Sequence, residues 1–163
     1  MLVVVDMQNH ILDQESEYYI EGADQLVTRI RHRLQQAREA DEYVLFTMDI
    51  PIERKGQEEE HQDLQLIPEL SPLPDERVVK KNYFTIPPKT LLDIQEAFFE
   101  SKDQQKTIEV VGIETNLCVL SNTVALQSAF PEGDFLIDSS LVASRNHETA
   151  ALALLKDFNI EVK

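Results

Sequence analysis

The sequence predicts an α/β fold: a three-layer α/β/α sandwich around a mostly parallel, six-stranded sheet, in one domain covering residues 1–163. Two observations predict it. Short β-branched runs alternate with longer amphipathic stretches along the chain, the pattern of repeated strand–helix–strand units and hence of a parallel sheet with helices on both faces. Most of the apolar runs are nearly continuous rather than alternating, which suits strands buried on both sides. No composition break or repeat marks a second domain, and 163 residues with 42% hydrophobic content suffice for one core.

Taken in order, the first strand is Leu2 to Val5. The helix after it shows Leu26, Ile30, Leu34 and Ala37 on one stripe, with Arg29, Arg31, Arg33, Arg38 and a solvated His32 off it. Tyr43 to Thr47 is the second strand. From Asp49 to Glu76 no core-length period holds, because Pro51, Pro68, Pro72 and Pro74 interrupt it and Glu58-Glu59-Glu60 adds a solvated charge run. A connection this long is uncommon in a compact domain and is often functional. Val78-Val79 is the third strand, and Leu91, Ile94 and Phe98 form the second helical stripe. Ile108 to Val111 leads to a stripe of Leu117, Leu120 and Val124. Phe135 to Ile137 leads to Ala151, Leu155 and Phe158, and Ile160 to Val162 closes the sheet.

Composition removes several functions. A formal net charge of −15 repels phosphate backbones and anionic lipid, so neither nucleic acid nor a membrane surface is expected as a partner. The four glycines, Gly22, Gly56, Gly112 and Gly133, stand too far apart for a dinucleotide or Walker loop. The single cysteine, Cys118, rules out an internal disulfide and a C-x-x-C pair. No apolar run reaches the ~20 residues of a membrane span, and the chain opens directly on an apolar strand; the expectation is a cytoplasmic protein acting on a small molecule.

Open parallel sheets bind ligands at the carboxyl ends of their strands. The polar residues found there are Asp6, Asp49, Lys81, Asp138 and, beyond Gly112, Cys118. The segment Gly112-Ile113-Glu114-Thr115-Asn116-Leu117-Cys118 leaves a strand and enters a helix. Thr115 or Asn116 is a ready N-cap that would place Cys118 in the first turn, where free N–H groups favour a thiolate. Asp6 offers a base for that thiol, although a capping role at its turn is equally common. Adjacent Lys80 and Lys81 point to opposite faces, so one of them at most reaches the site; Lys80 reads as a charged sheet edge. Gln8 replaces the second acid that a D-x-D phosphotransfer motif needs, and His10, His32, His61 and His147 form no metal-binding spacing.

Asp6-Met7-Gln8-Asn9, Lys81 and Gly112-Ile113-Glu114-Thr115-Asn116-Leu117-Cys118-Val119 together resemble the isochorismatase-like cysteine hydrolases, a family of Rossmann-like topology that includes nicotinamidases and N-carbamoylsarcosine amidases. Val78-Val79-Lys80-Lys81 is similar to the family's lysine segment and selects Lys81. Asp138-Ser139-Ser140-Leu141-Val142-Ala143-Ser144, with His147 after it, resembles its fifth strand and outgoing loop. The resemblance implies a catalytic Asp6, Lys81 and Cys118, an oxyanion hole from the backbone N–H groups of Glu114 and Cys118, a cis peptide between Ile113 and Glu114, and a homo-oligomer. It implies amide or related C–N hydrolysis through a thioester. Two positions depart from the family pattern: Ile11 stands where an aromatic is usual, and Asp49-Ile50-Pro51 replaces the metal-binding D-x-H, leaving Asp49 and His61 without a third ligand. No metal and no other cofactor is therefore expected. Phe84, Ile86 and the 49–76 connection are candidates for the pocket wall. A nicotinamidase or pyrazinamidase with a metal, and a non-catalytic binding protein on the same fold, are the alternatives.

Overall fold

The computed structural model describes residues 1–102 and 106–163, with only the helical backbone between 99 and 102. Its strands are β1 (Leu2–Val5), β2 (Val44–Asp49), β3 (Arg77–Lys81), β4 (Thr107–Ile113), β5 (Asp134–Ile137), β6 (Val142–Ala143) and β7 (Glu161–Val162). Its helices are α1 (Ala23–Glu39), α2 (Pro88–Lys102), α3 (Leu120–Ala129) and α4 (Glu148–Asp157). The strands lie in the order β3-β2-β1-β4-β5-β7, every pairing is parallel, and β6 adds to β4. The sheet thus has seven strands rather than the expected six. β5 pairs with β4 only over Thr107–Glu109, which leaves the far end of β4 free, and Val142–Ala143 pairs there with Gly112 and Ile113.

Alternation along β1 explains the three layers. Val3 and Val5 face one core with Leu45, Ile94, Phe98, Leu126 and Leu155, so α2, α3 and α4 cover that side. Leu2 and Val4 face the other core with Phe46, Leu26, Ile30 and Leu34, so α1 alone covers the opposite side. A central strand buried on both faces has no polar side to show, hence its unbroken run of apolar residues.

Two expected stripes shift. Leu117, Leu120 and Val124 are only partly buried, and the buried positions are Cys118, Val119, Asn122, Thr123 and Leu126. The cause is a π-helical turn over Thr115–Val119 ahead of α3, whose wider turn rotates every following residue out of the phase that a uniform 3.6-residue period assumes. Phe158 lies just past the end of α4 and is exposed. The α2 stripe holds, with Ile94 and Phe98 buried.

The 49–76 connection is a chain of four 3₁₀ turns at Ile52–Arg54, Glu58–Glu60, Gln62–Leu64 and Pro68–Leu70. Leu64, Ile67 and Leu70 pin it into the cores, and Leu66 bridges back to Gln8. Among the described residues no helix is long and apolar enough to cross a membrane.

Candidate active site

Sheet register fixes where the site forms. Val5 is opposite Thr47 on one side and Gly112 on the other, while Asp49 is opposite Lys81, so the ends of β1, β2, β3 and β4 meet. Close approach at Gly112 is obligatory. Its φ is 115°, and a Cβ there would lie 2.2 Å from the carbonyl oxygen of Val5, which only glycine avoids.

Asp6 follows β1 in the left-handed region (φ 51°) and is buried. Both carboxylate oxygens are engaged: Thr47 Oγ1 donates to Oδ1 at 2.6 Å and Lys81 Nζ donates to Oδ2 at 2.8 Å. The Lys81 side chain is 0% exposed. Its ammonium also donates to Cys118 Sγ at 3.5 Å and pairs with Asp49 Oδ1 at 3.6 Å. Lys80 points outward to Glu58 and Glu59 instead. Three side chains distant in sequence therefore meet, Asp6 and Cys118 at the wall of a cavity and Lys81 buried behind them. Asp138 does not join them; it caps the turn at Ser139–Leu141 by accepting from Ser140 N at 2.8 Å. His147 caps nothing with its side chain and stands exposed at the start of α4.

Neither Thr115 nor Asn116 caps the cysteine-bearing turn. Glu114 occupies the N-cap position without a side-chain bond, because β4 passes straight into the π-turn. The Ile113–Glu114 peptide is cis, and the Glu114 carbonyl accepts from both Leu117 N and Val119 N at 3.0 Å. The electrostatics also differ from the expected thiolate. Burial and the nearby Asp6 push the Cys118 thiol well above the ordinary thiol value, and Lys81 opposes them without prevailing. The resting sulfur is therefore a thiol. Burial works against the Lys81 ammonium, but the charge of Asp6, with that of Asp49, outweighs it and holds the amine above its ordinary value. Burial raises the Asp49 carboxyl, and Lys81 pulls the other way.

The cavity encloses about 740 Å³ and reaches from Cys118, Asp6 and Asp49 past Phe84 to His10, Tyr18, Arg54 and Arg145. Phe84 and residues of the 49–76 connection are thus wall residues as expected, whereas Ile86 is buried in the core and supports the wall from behind. Several supporting residues escaped the sequence reading. Gln8 locks β1 to the connection, accepting from Asp49 N at 2.9 Å and donating to Leu64 O at 2.7 Å. Arg145 holds the Glu114 carboxylate and the Glu17 carbonyl and lies over the Tyr18 ring, 5.3 Å from its centroid. His10 packs against Tyr18 with the rings tilted by 57° and their centroids 5.1 Å apart, and donates from Nδ1 to Asp63 O at 3.1 Å. Burial lowers its pKa, so it is neutral at neutral pH. A short polar residue in an apolar strand, such as Thr47, carries no local sign of such a role.

The family model of the isochorismatase domain matches residues 1–161. The chain belongs to the isochorismatase family. It is a hydrolase on that ground. Its fold is similar to that of an isochorismatase-like hydrolase from Alkaliphilus metalliredigens (TM-score 0.78, 18% identity, 99% of this chain and 92% of that one). It is equally similar to a nicotinamidase from Bacillus subtilis (TM-score 0.78, 20% identity, 99% and 97%). A pyrazinamidase from Pyrococcus horikoshii, solved in complex with zinc, follows at TM-score 0.77 and 14% identity, over 99% and 97%. No curated protein matches the chain in sequence.

The donor set of this isochorismatase-family site does not fit a metal. Among the described residues, only Asp6, Asp49 and Cys118 bring three donor atoms within 4.8 Å of one another, and the Lys81 ammonium is already seated on all three. His61 stands apart beside Asp63, and Pro51 offers no ligating atom.

Proposed function

We propose that this isochorismatase-family hydrolase is a cysteine amidase that cleaves a small amide or related C–N bond through a thioester on Cys118. The observation that carries the reading is the run of close distances, Asp6 to Lys81 at 2.8 Å and Lys81 to Cys118 at 3.5 Å, at the closed end of the cavity.

The chemistry follows from those positions. As the sulfur attacks the carbonyl carbon, its proton passes to Asp6, and the C=O electron pair moves onto oxygen. Starting from a thiol is no obstacle, because base and acid are both buried and proton transfer can accompany attack. Lys81 stays charged and offsets the negative charge shared between Asp6 and sulfur. The developing oxyanion accepts from the backbone N–H groups of Glu114 and Cys118. Collapse breaks the C–N bond, and the amine leaves with the proton from Asp6. Water, deprotonated by Asp6, then hydrolyses the thioester and returns the thiol.

Charges around the cavity narrow the substrate. Lys81 is taken by Asp6 and Asp49, Arg54 by Asp63 at 2.7 Å, and Arg145 by Glu114. Arg54 and Arg145 are thus engaged, while Asp13 and Glu53 line the cavity in no ion pair among the described residues. An uncharged or cationic amide suits this wall and a carboxylate-bearing one does not.

The test is ammonia release from matched amides: nicotinamide and propionamide as uncharged members, glycinamide as a cation, oxamate as an anion. Turnover of an uncharged or cationic member, abolished in Cys118→Ala with the fold intact, is the expected result. Unchanged turnover in that variant rejects the thiol role. Turnover that requires added zinc or iron and disappears on chelation would favour the metal-dependent nicotinamidase reading instead.

A further inference from the structure

Asn122 is an asparagine on the buried face of α3, 0% exposed, and the mechanism above does not use it. Its amide joins two chain segments that each deliver part of the site. Nδ2 donates to the Cys118 carbonyl at 2.7 Å and to the Phe84 carbonyl at 2.9 Å, while Oδ1 accepts from Ile86 N at 2.8 Å. One side of this clamp is the π-turn carrying Cys118. The other is the loop that follows β3 directly, three residues past Lys81, and carries the wall residue Phe84.

We infer that Asn122 is a positioning residue: it holds the nucleophile's turn against the loop that follows β3, and so helps set both the separation of Cys118 from Lys81 at the end of that strand and the place of Phe84. The inference rests on the cysteine hydrolase reading for its kinetic consequences, not for its structural ones. The physical ground is that a π-turn and a loop without regular hydrogen bonding have no ladder of their own to fix their relative position. Buried amide bonds supply it, since any slippage would leave donors and acceptors unpaired in a dry core. Small displacements matter here, because reacting atoms must stay within a few tenths of an ångström of the productive separation.

Neighbouring side chains show how to separate the two halves of the clamp. Thr123 Oγ1 donates to Val119 O at 2.7 Å, four residues back. A threonine at 122 can bond the Cys118 carbonyl in the same way but cannot reach Phe84 or Ile86. Asn122→Asp keeps the acceptor for Ile86 N and turns an oxygen toward two carbonyls.

The experiment measures kcat and KM for a minimal amide and for a larger aromatic one, together with the alkylation rate of Cys118 across pH and the Tm. Asn122→Asp should lower kcat at least tenfold for both substrates and shift the pH profile of alkylation. Asn122→Thr, which keeps only the bond to its own turn and loses the loop, should also lower kcat for both substrates, by less than Asn122→Asp, and raise KM for the aromatic one at least fivefold. A purely structural residue would move Tm alone. Wild-type kinetics and alkylation in Asn122→Asp overturn the inference; should that variant not fold, equal KM values for wild type and Asn122→Thr with both substrates overturn it. If the wild type releases no ammonia from any amide, the hydrolase reading fails separately, and an alkylation profile unchanged in both variants is then the result that overturns the clamp.

Discussion

Replacing Lys81 with methionine removes the one buried cation of the site and keeps the side chain's length. Its ammonium, 0% exposed, sits 2.8 Å from Asp6 and 3.6 Å from Asp49. Without it the buried Asp6 carboxylate has no cation and faces Asp49, whose side chain is 36% exposed. Breaking a buried pair from one side costs about 3–5 kcal/mol, which in a domain of this size corresponds to a fall in Tm of roughly 6–20 °C. The penalty belongs to the ionised carboxylates, so it should shrink at pH 4, where Asp49, its pKa raised by burial, is partly protonated. It should also shrink in Lys81→Met/Asp49→Asn, which removes one of the two opposed charges. At the alkaline end the sign is fixed by the raised lysine pKa. The pair's stabilisation is present in full below the ordinary lysine value of 10.5 and is lost as pH rises through the higher folded value. Urea unfolding of wild type, single and double variants at pH 4, 7 and 11 measures all three effects. A loss below about 1 kcal/mol at pH 7, equal at pH 4 and not relieved by Asp49→Asn, would refute the reasoning.

Three more predictions follow from individual positions. Cys118 should react with iodoacetamide more slowly than a free thiol at neutral pH and accelerate steadily on the alkaline side, because burial and Asp6 hold it protonated; a fast, pH-independent rate between pH 6 and 9 would contradict that placement. Gly112→Ala puts a Cβ 2.2 Å from the Val5 carbonyl oxygen at a φ of 115°, so it should destabilise the fold by more than about 3 kcal/mol in chemical denaturation, where Gly133→Ala costs less. Arg145→Ala leaves the exposed Glu114 pair unmade and should change stability by less than about 1 kcal/mol. The same variant should raise KM severalfold in steady-state kinetics, since the segment at Glu17 and Tyr18 loses its tie to the cavity wall.

Much of this was legible without coordinates because strands buried on both faces must be apolar throughout. That is why Leu2 to Val5 and Ile108 to Val111 stood out, and why the residues just past them, Asp6 and the segment leading to Cys118, were found as site candidates. The lysine was harder: alternation along a strand says only that Lys80 and Lys81 point apart, the family resemblance selects Lys81, and the structure buries it. Asp138, at an equivalent strand end, is drawn into its own turn by Ser140, a local competition that strand position alone does not disclose.

The sequence by itself determined the layer architecture and the identity of the chemical groups, since both depend on side-chain hydrophobicity and on positions counted along each element. Tertiary structure alone decided the protonation state of Cys118 and the roles of Thr47, Asn122 and Arg145. Those depend on desolvation and on hydrogen bonds between segments from 4 to more than 100 residues apart, and a separation in space between distant residues has no counterpart in the order of the chain. The π-turn marks the boundary between the two: one wider turn, invisible to a periodic reading, rotates Asn122 into the core and leaves Leu117 at the wall of the cavity.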